Sequence, residues 1–216
     1  MAYKTVLFDL DGTLLDTLED LANAVNHILE RHRCPLRTLE EVRAFVGNGL
    51  GMLMRRALPA QYSQTVSDLL AEELRTYYTA HSRIQTTPYS GIRAVLEALH
   101  ADGVKVAVVS NKADEAVGEL CESYFPGLVD AAVGETAGRR PKPAPDEVEL
   151  ALERLGADRD GAVYVGDSQV DVDTARAAGM PCIAVTWGFR TREDLVKAGA
   201  ETLADTPEAL LKLLRA

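Results

Sequence analysis

The chain has 216 residues, of which 47% are apolar and 26% charged, a composition ordinary for a soluble globular protein with a substantial core. Its formal net charge of -10 at pH 7 argues against nucleic acid as a partner and offers no basic face to a membrane, so an anionic substrate must be attracted locally. The three cysteines form no CxxC pair and indicate reduced thiols in a cytoplasmic protein; neither a signal peptide nor a run of ~20 apolar residues is expected.

The first predicted element is a short buried strand, Thr5 to Phe8, because its residues are β-branched or large and apolar. After it, apolar residues recur at helical spacing from Leu18 to Leu29, and three further helical patterns follow without a strand between them. Thr17 and Asp20 have the spacing of a capping box before the first of these helices. The pattern predicts a small helical unit, residues 17–83, inserted after the first strand.

From residue 104 onward, strands alternate with helices. The predicted strands span residues 104–109, 128–133, 162–165 and 182–185, and the predicted helices span 114–124, 146–155, 170–178 and a final segment from 207. Because such alternation gives right-handed βαβ units, we expect an α/β core with a parallel sheet, made of residues 1–16 and 84–216.

Polar and charged side chains stand where predicted strands end or where loops precede helices: Asp9, Asp11, Ser110, Asn111, Lys142, Asp167 and Asp171. In open parallel sheets, ligands bind in the crevice beyond the carboxyl ends of the strands, so these side chains could all converge on one crevice. Taken singly, each also has an ordinary explanation as a turn residue, a helix cap, a solvated charge or a first-turn acid.

Carboxylates a few ångströms apart repel one another, and their cluster calls for a hard cation with oxygen ligands, most naturally Mg²⁺. Within the pair formed by Asp9 and Asp11, one carboxylate could attack phosphorus while the other protonates the leaving oxygen. Ser110, Lys142 and backbone amides near Asp11 and Asn111 could bind the phosphoryl oxygens. These residues predict a phosphoryl-transfer site for a small anionic phosphorylated metabolite.

The segments DLDGT, SN, RPKP and GDSQVD, in this order, resemble the four motifs of the haloacid dehalogenase superfamily of phosphatases. The resemblance implies a Rossmann-like core with an inserted helical cap, Mg²⁺ dependence and an aspartyl-phosphate intermediate. It implies that Asp9 is the nucleophile and a metal ligand, that Asp11 is the acid/base and a ligand through its backbone carbonyl, and that Asp167 is the third protein ligand. The resemblance also implies that Ser110 and Lys142 bind the phosphoryl group.

The resemblance also implies that Thr13 holds the motif turn near the substrate and that Asp171 supports the metal shell. Two further segments, FVGNGLGMLMRRAL and VTWGFRTREDLVKAGAE, resemble the phosphoglycolate phosphatase subgroup, although subgroups acting on pyrophosphate or sugar phosphates share much of them. In the first segment, Gly47 and Gly49 flank Asn48. That turn is either a substrate-binding loop or an ordinary turn between helices.

Several alternatives stay open at this point. A phosphomutase of the same superfamily is one, and a signalling receiver domain that keeps its phosphoaspartate is another, although a receiver has no acid at the position of Asp11. Arg55 and Arg56 could reach a substrate carboxylate or be solvated. Trp187 and Arg190 fall outside the motif loops, as do the four histidines, and none is assigned a role. The sequence allows a monomer or a homodimer.

Overall fold

The computed structural model describes residues 3–216, so the first two residues of the predicted core segment 1–16 lie outside the described part. The described residues separate into two compact units: one runs up to Leu15 and resumes from Pro88 to Ala216, and the other is Asp16–Thr87. Among the residues that the structure describes, no helix is long and apolar enough to cross a membrane.

The first unit contains a parallel sheet of six strands: β1 (Thr5–Phe8), β4 (Lys105–Ala113), β5 (Ala131–Glu135), β6 (Ala162–Gly166), β7 (Cys182–Val185) and β8 (Thr202–Ala204). Their order is β5-β4-β1-β6-β7-β8, and every pairing is parallel. Two short strands, β2 (Leu15–Asp16) and β3 (Thr87–Pro88), form a second sheet. The helices of this unit are α5 (Ile92–Ala101), α6 (Asp114–Tyr124), α7 (Asp146–Leu155), α8 (Gln169–Ala177), α9 (Arg192–Lys197) and α10 (Pro207–Arg215).

The central strand β1 is buried on both faces, as its apolar sequence predicts. Val6 and Phe8 belong to a core cluster that includes buried residues of α5, α6 and α10. Leu7, whose side chain points to the opposite face, belongs to a second cluster with residues of α7 and α8. Helices therefore cover both faces of the sheet, which confirms the predicted α/β fold with a parallel sheet core and an inserted helical unit.

Several predicted elements differ from those in the structure. The strand predicted at 104–109 extends to Ala113, so Ser110 and Asn111 lie inside β4, whose register against β5 shifts between Val109 and Ala113. The strand predicted at 128–133 starts at Ala131. Helices α5 and α9 and strand β8 were not predicted, and the last two are too short for periodicity to identify.

The second unit consists of four helices: α1 (Leu18–Arg31), α2 (Leu39–Phe45), α3 (Gly49–Ala57) and α4 (Gln64–His81). Helices α1, α3 and α4 each bury several apolar residues, α2 buries Val42, and a capping box of Thr38 and Glu41 begins α2. The unit therefore has its own small helical core.

The capping box predicted at the start of α1 is wrong. Thr17 occupies the N-cap position, but its side chain makes no capping hydrogen bond. The Asp20 carboxylate instead accepts hydrogen bonds from the backbone N–H groups of residues 84–86, at 2.9–3.1 Å, and from the Thr86 hydroxyl at 2.8 Å. Asp20 thus fixes the returning segment of the helical unit, and this long-range partner outcompetes the local one.

Candidate active site

The turn after β1 brings the first acidic motif to the edge of the sheet. The backbone N–H of Asp9 donates to the Val165 carbonyl at 2.8 Å, which extends the pairing of β1 with β6 by one residue. The chain then turns at Gly12, whose φ is +93°. A Cβ at Gly12 would lie 2.5 Å from the Asp167 Oδ2 atom, so only glycine allows this turn to approach Asp167.

Lys142 connects the first, third and fourth motifs. Its Nζ atom donates to Asp9 Oδ1 at 2.7 Å, to Asp171 Oδ1 at 2.8 Å and to the Tyr164 hydroxyl at 3.0 Å. These three contacts use the full donor capacity of an ammonium group. The Tyr164 hydroxyl in turn donates to the Val109 carbonyl at 3.2 Å. Tyr164 was not predicted as a site residue, because its position inside an apolar strand suggests only packing.

Asn111 holds the loop that carries Lys142. The backbone N–H of Lys142 donates to Asn111 Oδ1 at 2.8 Å, and Asn111 Nδ2 donates to the Lys142 carbonyl at 3.1 Å. This two-way amide contact fixes the Pro-rich loop against the end of β4. The predicted role of Asn111 in substrate binding stays a prediction, and the structure places its side chain on this backbone.

Asp9, Asp167 and Asp171 form a compact carboxylate cluster. One carboxylate oxygen from each lies within 4.8 Å of the others, and all three residues are buried. Asp171 lies in the first turn of α8, where its Oδ2 atom accepts from the Ser168 N–H at 3.0 Å and from the Ser168 hydroxyl at 2.6 Å. The fourth motif therefore holds Asp171 through its own helix start as well as through Lys142.

The loop after β7 holds Asp167. Asp167 Oδ2 accepts from the Phe189 N–H at 2.6 Å, and Asp167 Oδ1 accepts from the Thr13 hydroxyl at 3.4 Å. Trp187 Nε1 donates to the Thr13 carbonyl at 3.1 Å. Trp187, which received no role from the sequence, thus contacts the first motif. A Cβ at Gly188 would lie 2.4 Å from Asp167, so this loop also approaches as closely as glycine permits.

Burial and mutual repulsion perturb the acids of this cluster. Burial raises the pKa of Asp9 well above its usual value; Lys142 opposes this shift, and Asp171 and Asp167 add to it. Burial, followed by the charge of Asp171, raises the pKa of Asp167 to about 7. Burial alone would lower the pKa of Lys142, but the charges of Asp171 and Asp9 raise it well above its ordinary value. One lysine therefore does not compensate three buried carboxylates.

This excess of negative charge fits a divalent cation. The donors of the cluster are all carboxylate oxygens, which suit a hard cation better than a soft one. The predicted ligands were Asp9, Asp11 and Asp167. The structure brings Asp9 and Asp167 together with Asp171, and the Asp11 carboxylate is absent from this group.

The metal ligand predicted for Asp11 is its backbone carbonyl, and its carboxylate contacts Lys112. The Lys112 Nζ atom donates to Asp11 Oδ1 at 2.8 Å and to Asp11 Oδ2 at 3.1 Å. The two side chains are 7% and 18% exposed, respectively, so the ion pair is largely shielded from water. Ser110 lies on the same side of β4 as Lys112, and its hydroxyl accepts from the Lys112 N–H at 3.3 Å. Sequence reasoning missed Lys112 although it directly follows the SN motif.

Asn48, the predicted cap residue, lies in the helical unit. Its Oδ1 atom accepts from Arg56 Nη2 at 2.7 Å, and Arg56 Nη1 donates to the Phe45 carbonyl at 2.5 Å. Gly47 and Gly49 on either side have positive φ, as the predicted turn requires. The predicted role of Asn48 in substrate binding and the function of the helical unit as a cap stay predictions.

Comparison with known proteins identifies relatives over nearly the whole chain. A family model described as haloacid dehalogenase-like hydrolase matches residues 6–185. The phosphoglycolate phosphatase of Pseudomonas syringae pv. syringae (strain B728a) is 34% identical over 219 residues, covering 96% of this chain and 78% of that protein. The phosphoglycolate phosphatase of Xylella fastidiosa (strain 9a5c) is 35% identical over 212 residues, covering 96% and 91%.

Solved structures give the same result. A candidate phosphoglycolate phosphatase from Lactobacillus delbrueckii subsp. bulgaricus is 38% identical, with a TM-score of 0.95 and coverage of 100% of both chains. The agreement of sequence, fold and motif order confirms the resemblance drawn from the motifs alone. The chain therefore belongs to the haloacid dehalogenase-like hydrolase family.

Proposed function

We propose that the protein is a Mg²⁺-dependent phosphomonoester hydrolase that works through an aspartyl-phosphate on Asp9, with 2-phosphoglycolate as its substrate. The single observation that best supports this chemistry is that Lys142 Nζ donates to both Asp9 and Asp171 inside a cluster of buried carboxylates. That arrangement presents a desolvated nucleophile next to an ammonium group suited to phosphoryl oxygens.

In the first half-reaction, an oxygen of Asp9 forms a bond to phosphorus while the bond from phosphorus to the ester oxygen breaks. The ester oxygen leaves as an alcohol because Asp11 gives it a proton. Lys142 and Ser110 bind the phosphoryl oxygens as charge develops on them. In the second half-reaction, Asp11 takes a proton from water, and the water oxygen attacks phosphorus. The bond to Asp9 breaks, which restores the carboxylate and releases inorganic phosphate.

Mg²⁺ held by Asp9, Asp167 and the Asp11 backbone carbonyl, with Asp171 behind them, would neutralise the carboxylates and polarise the phosphoryl group. The chain itself holds the Asp167 carboxylate through the Phe189 N–H and the Thr13 hydroxyl, and it holds the Asp171 carboxylate through Ser168.

The three cysteines of the chain are free, which supports the proposed cytoplasmic location.

The choice of 2-phosphoglycolate rests on relatives of that name at 34% and 35% identity. The test is Mg²⁺-dependent phosphate release by the purified protein from 2-phosphoglycolate, pyrophosphate, hexose phosphates and nucleotides. We expect 2-phosphoglycolate to have the highest kcat/KM and Asp9→Asn to abolish turnover of every substrate. A higher kcat/KM for another ester would refute only the substrate. Turnover that survives in Asp9→Asn would refute the mechanism.

A further inference from the structure

The Lys112–Asp11 ion pair is a second charged contact at the site, separate from the Lys142 cluster. Lys112 contacts both oxygens of one carboxylate, whereas Lys142 contacts two different carboxylates. Asp11 is thus held by Lys112, and Asp9 and Asp171 are held by Lys142. Asp11 does not belong to the group of Asp9, Asp167 and Asp171, whose carboxylate oxygens lie within 4.8 Å of one another.

We propose that Lys112 is a positioning residue that holds the Asp11 carboxyl group on the leaving-group side of the site, away from the carboxylate cluster. The inference rests on the proposed function, because it concerns the acid/base of that reaction. It adds a residue from β4 whose ammonium group contacts both oxygens of the Asp11 carboxylate.

The geometry favours a positioning role because contact with both oxygens fixes the orientation of the carboxylate as well as its place. The backbone of Asp11 forms an isolated β-bridge with Leu15 at the turn that contains Gly12, but this bridge does not set the orientation of the carboxyl group. A carboxyl group that transfers a proton must be held at hydrogen-bond distance from the reacting oxygen, and small displacements cost large factors in rate. Lys112 supplies that restraint from an adjacent strand.

The charges favour the same role. An unrestrained Asp11 carboxylate beside Asp9 and Asp167 would be drawn to any cation bound there, and an acid engaged in coordination cannot donate its proton. The shielded ammonium of Lys112 offers Asp11 a competing partner of fixed position, and one Asp11 oxygen can still accept from it when the other oxygen carries the proton. Because a buried lysine is costly without a counter-ion, each member of the pair holds the other in place.

The backbone at Lys112 packs tightly against the neighbouring strand β5, which restricts where this lysine can lie. A Cβ at Gly134 in β5 would lie 2.5 Å from the Lys112 carbonyl oxygen, so the two strands approach as closely as a glycine permits. This contact falls where the register of β4 against β5 shifts. At this irregular end of β4, the Lys112 side chain extends to Asp11, and the Lys112 N–H donates to the Ser110 hydroxyl.

The test compares two substrates that differ in their need for an acid: 2-phosphoglycolate, an alkyl ester, and p-nitrophenyl phosphate, whose leaving group departs without protonation. The ratio kcat/KM reports steps up to formation of the phosphoenzyme. We expect Lys112→Met to lower kcat/KM about 10- to 100-fold for the alkyl ester and less than about threefold for the aryl ester. Equal losses on both substrates would overturn the proposal.

Because both substrates are measured on one preparation, the ratio of their losses is independent of the folded fraction. Lys112→Gln gives the same comparison if the Met variant does not fold. The matched control is Lys105→Met, at the other end of β4, where the lysine donates to the Leu155 and Gly156 carbonyls. Lys105→Met should leave both kcat/KM values unchanged. A loss like that of Lys112→Met would mean that kcat/KM falls because β4 is disturbed, and not because Asp11 has lost its partner.

A double-mutant cycle separates action through Asp11 from any other role. In the Asp11→Asn background, we expect Lys112→Met to change kcat/KM for the alkyl ester by less than about twofold. An additional loss as large as that in the wild type would mean that Lys112 contacts substrate directly, which overturns the proposal. If the wild-type protein hydrolyses no phosphomonoester at all, the proposed function itself fails, and this outcome is distinct from both results for Lys112.

Discussion

At the scale of single residues, Glu147 is the acid that the proposed reaction does not use. It is fully buried in the first turn of α7, and among the described residues neither of its carboxylate oxygens has a hydrogen-bond partner. Burial raises its pKa to about 7; Lys142 and Arg139 oppose this shift, and Glu135 and Asp114 add to it. The protein is therefore more stable with this side chain protonated.

The pH dependence follows from the raised pKa. The unfolded chain loses the Glu147 proton near pH 4.5 and the folded chain near pH 7, so rising pH lowers stability across that window. We expect Glu147→Gln to raise the free energy of unfolding by about 1–2 kcal/mol at pH 8 and to have little effect at pH 4.5. Urea denaturation at the two pH values measures this. The exposed Glu153 of the same helix is the control, and a Glu147→Gln gain independent of pH would contradict the assignment.

Sequence reasoning reached part of the site because topology determines where strand ends meet. Asp9, Lys142, Asp167 and Asp171 were expected at one crevice, and the structure brings them together. Lys112, Tyr164 and Trp187 were not expected, because their contacts depend on strand irregularity and side-chain direction, which one sequence does not encode locally. The catalytic and binding roles of all these residues stay predictions.

At the scale of elements, the turn at Gly12 links the first motif to the carboxylate cluster. A Cβ at Gly12 would collide with Asp167, whereas a Cβ at Gly161, which has a similarly positive φ, would meet nothing closer than 3.8 Å. We expect both alanine variants to lose about 1–2 kcal/mol of stability through backbone strain. Only Gly12→Ala should also weaken Mg²⁺ binding, by about 10- to 100-fold, because it displaces Asp167.

Calorimetric titration of both variants with Mg²⁺ measures this difference. Equal Mg²⁺ affinities in Gly12→Ala and Gly161→Ala would show that the close approach of the turn does not position Asp167.

Element prediction succeeded for several elements with clear apolar patterns, although α5 has such a pattern and was missed. The strand Thr5–Phe8 and the helices Asp114–Tyr124 and Asp146–Leu155 were predicted with the bounds that the structure has. The capping box at Thr17 failed because Asp20 bonds to a segment more than 60 residues away in sequence. The residues next to Asp20 in the sequence give no sign of these distant hydrogen-bond partners.

At the scale of the whole molecule, the acidic net charge of -10 and the buried carboxylate cluster both favour cation binding to the folded state. A ligand that binds only the folded chain stabilises it by about 2.7 kcal/mol at 100 times its Kd. We therefore expect Mg²⁺ to raise the Tm of the wild type and chelation to reverse the gain. Asp167→Asn should lose this response. A wild-type Tm that is insensitive to Mg²⁺ would contradict the metal site.

Nucleophilic catalysis by Asp9 is tested most directly by trapping the phosphoryl group on its carboxylate. The enzyme is quenched during turnover of 2-phosphoglycolate and treated with borohydride, which reduces an aspartyl-phosphate to homoserine, and the peptide containing residue 9 is analysed by mass spectrometry. We expect homoserine at position 9 only when substrate and Mg²⁺ are present. Sustained hydrolysis with Asp9 unmodified at every quench time would contradict nucleophilic catalysis by Asp9, because water would then attack the substrate directly.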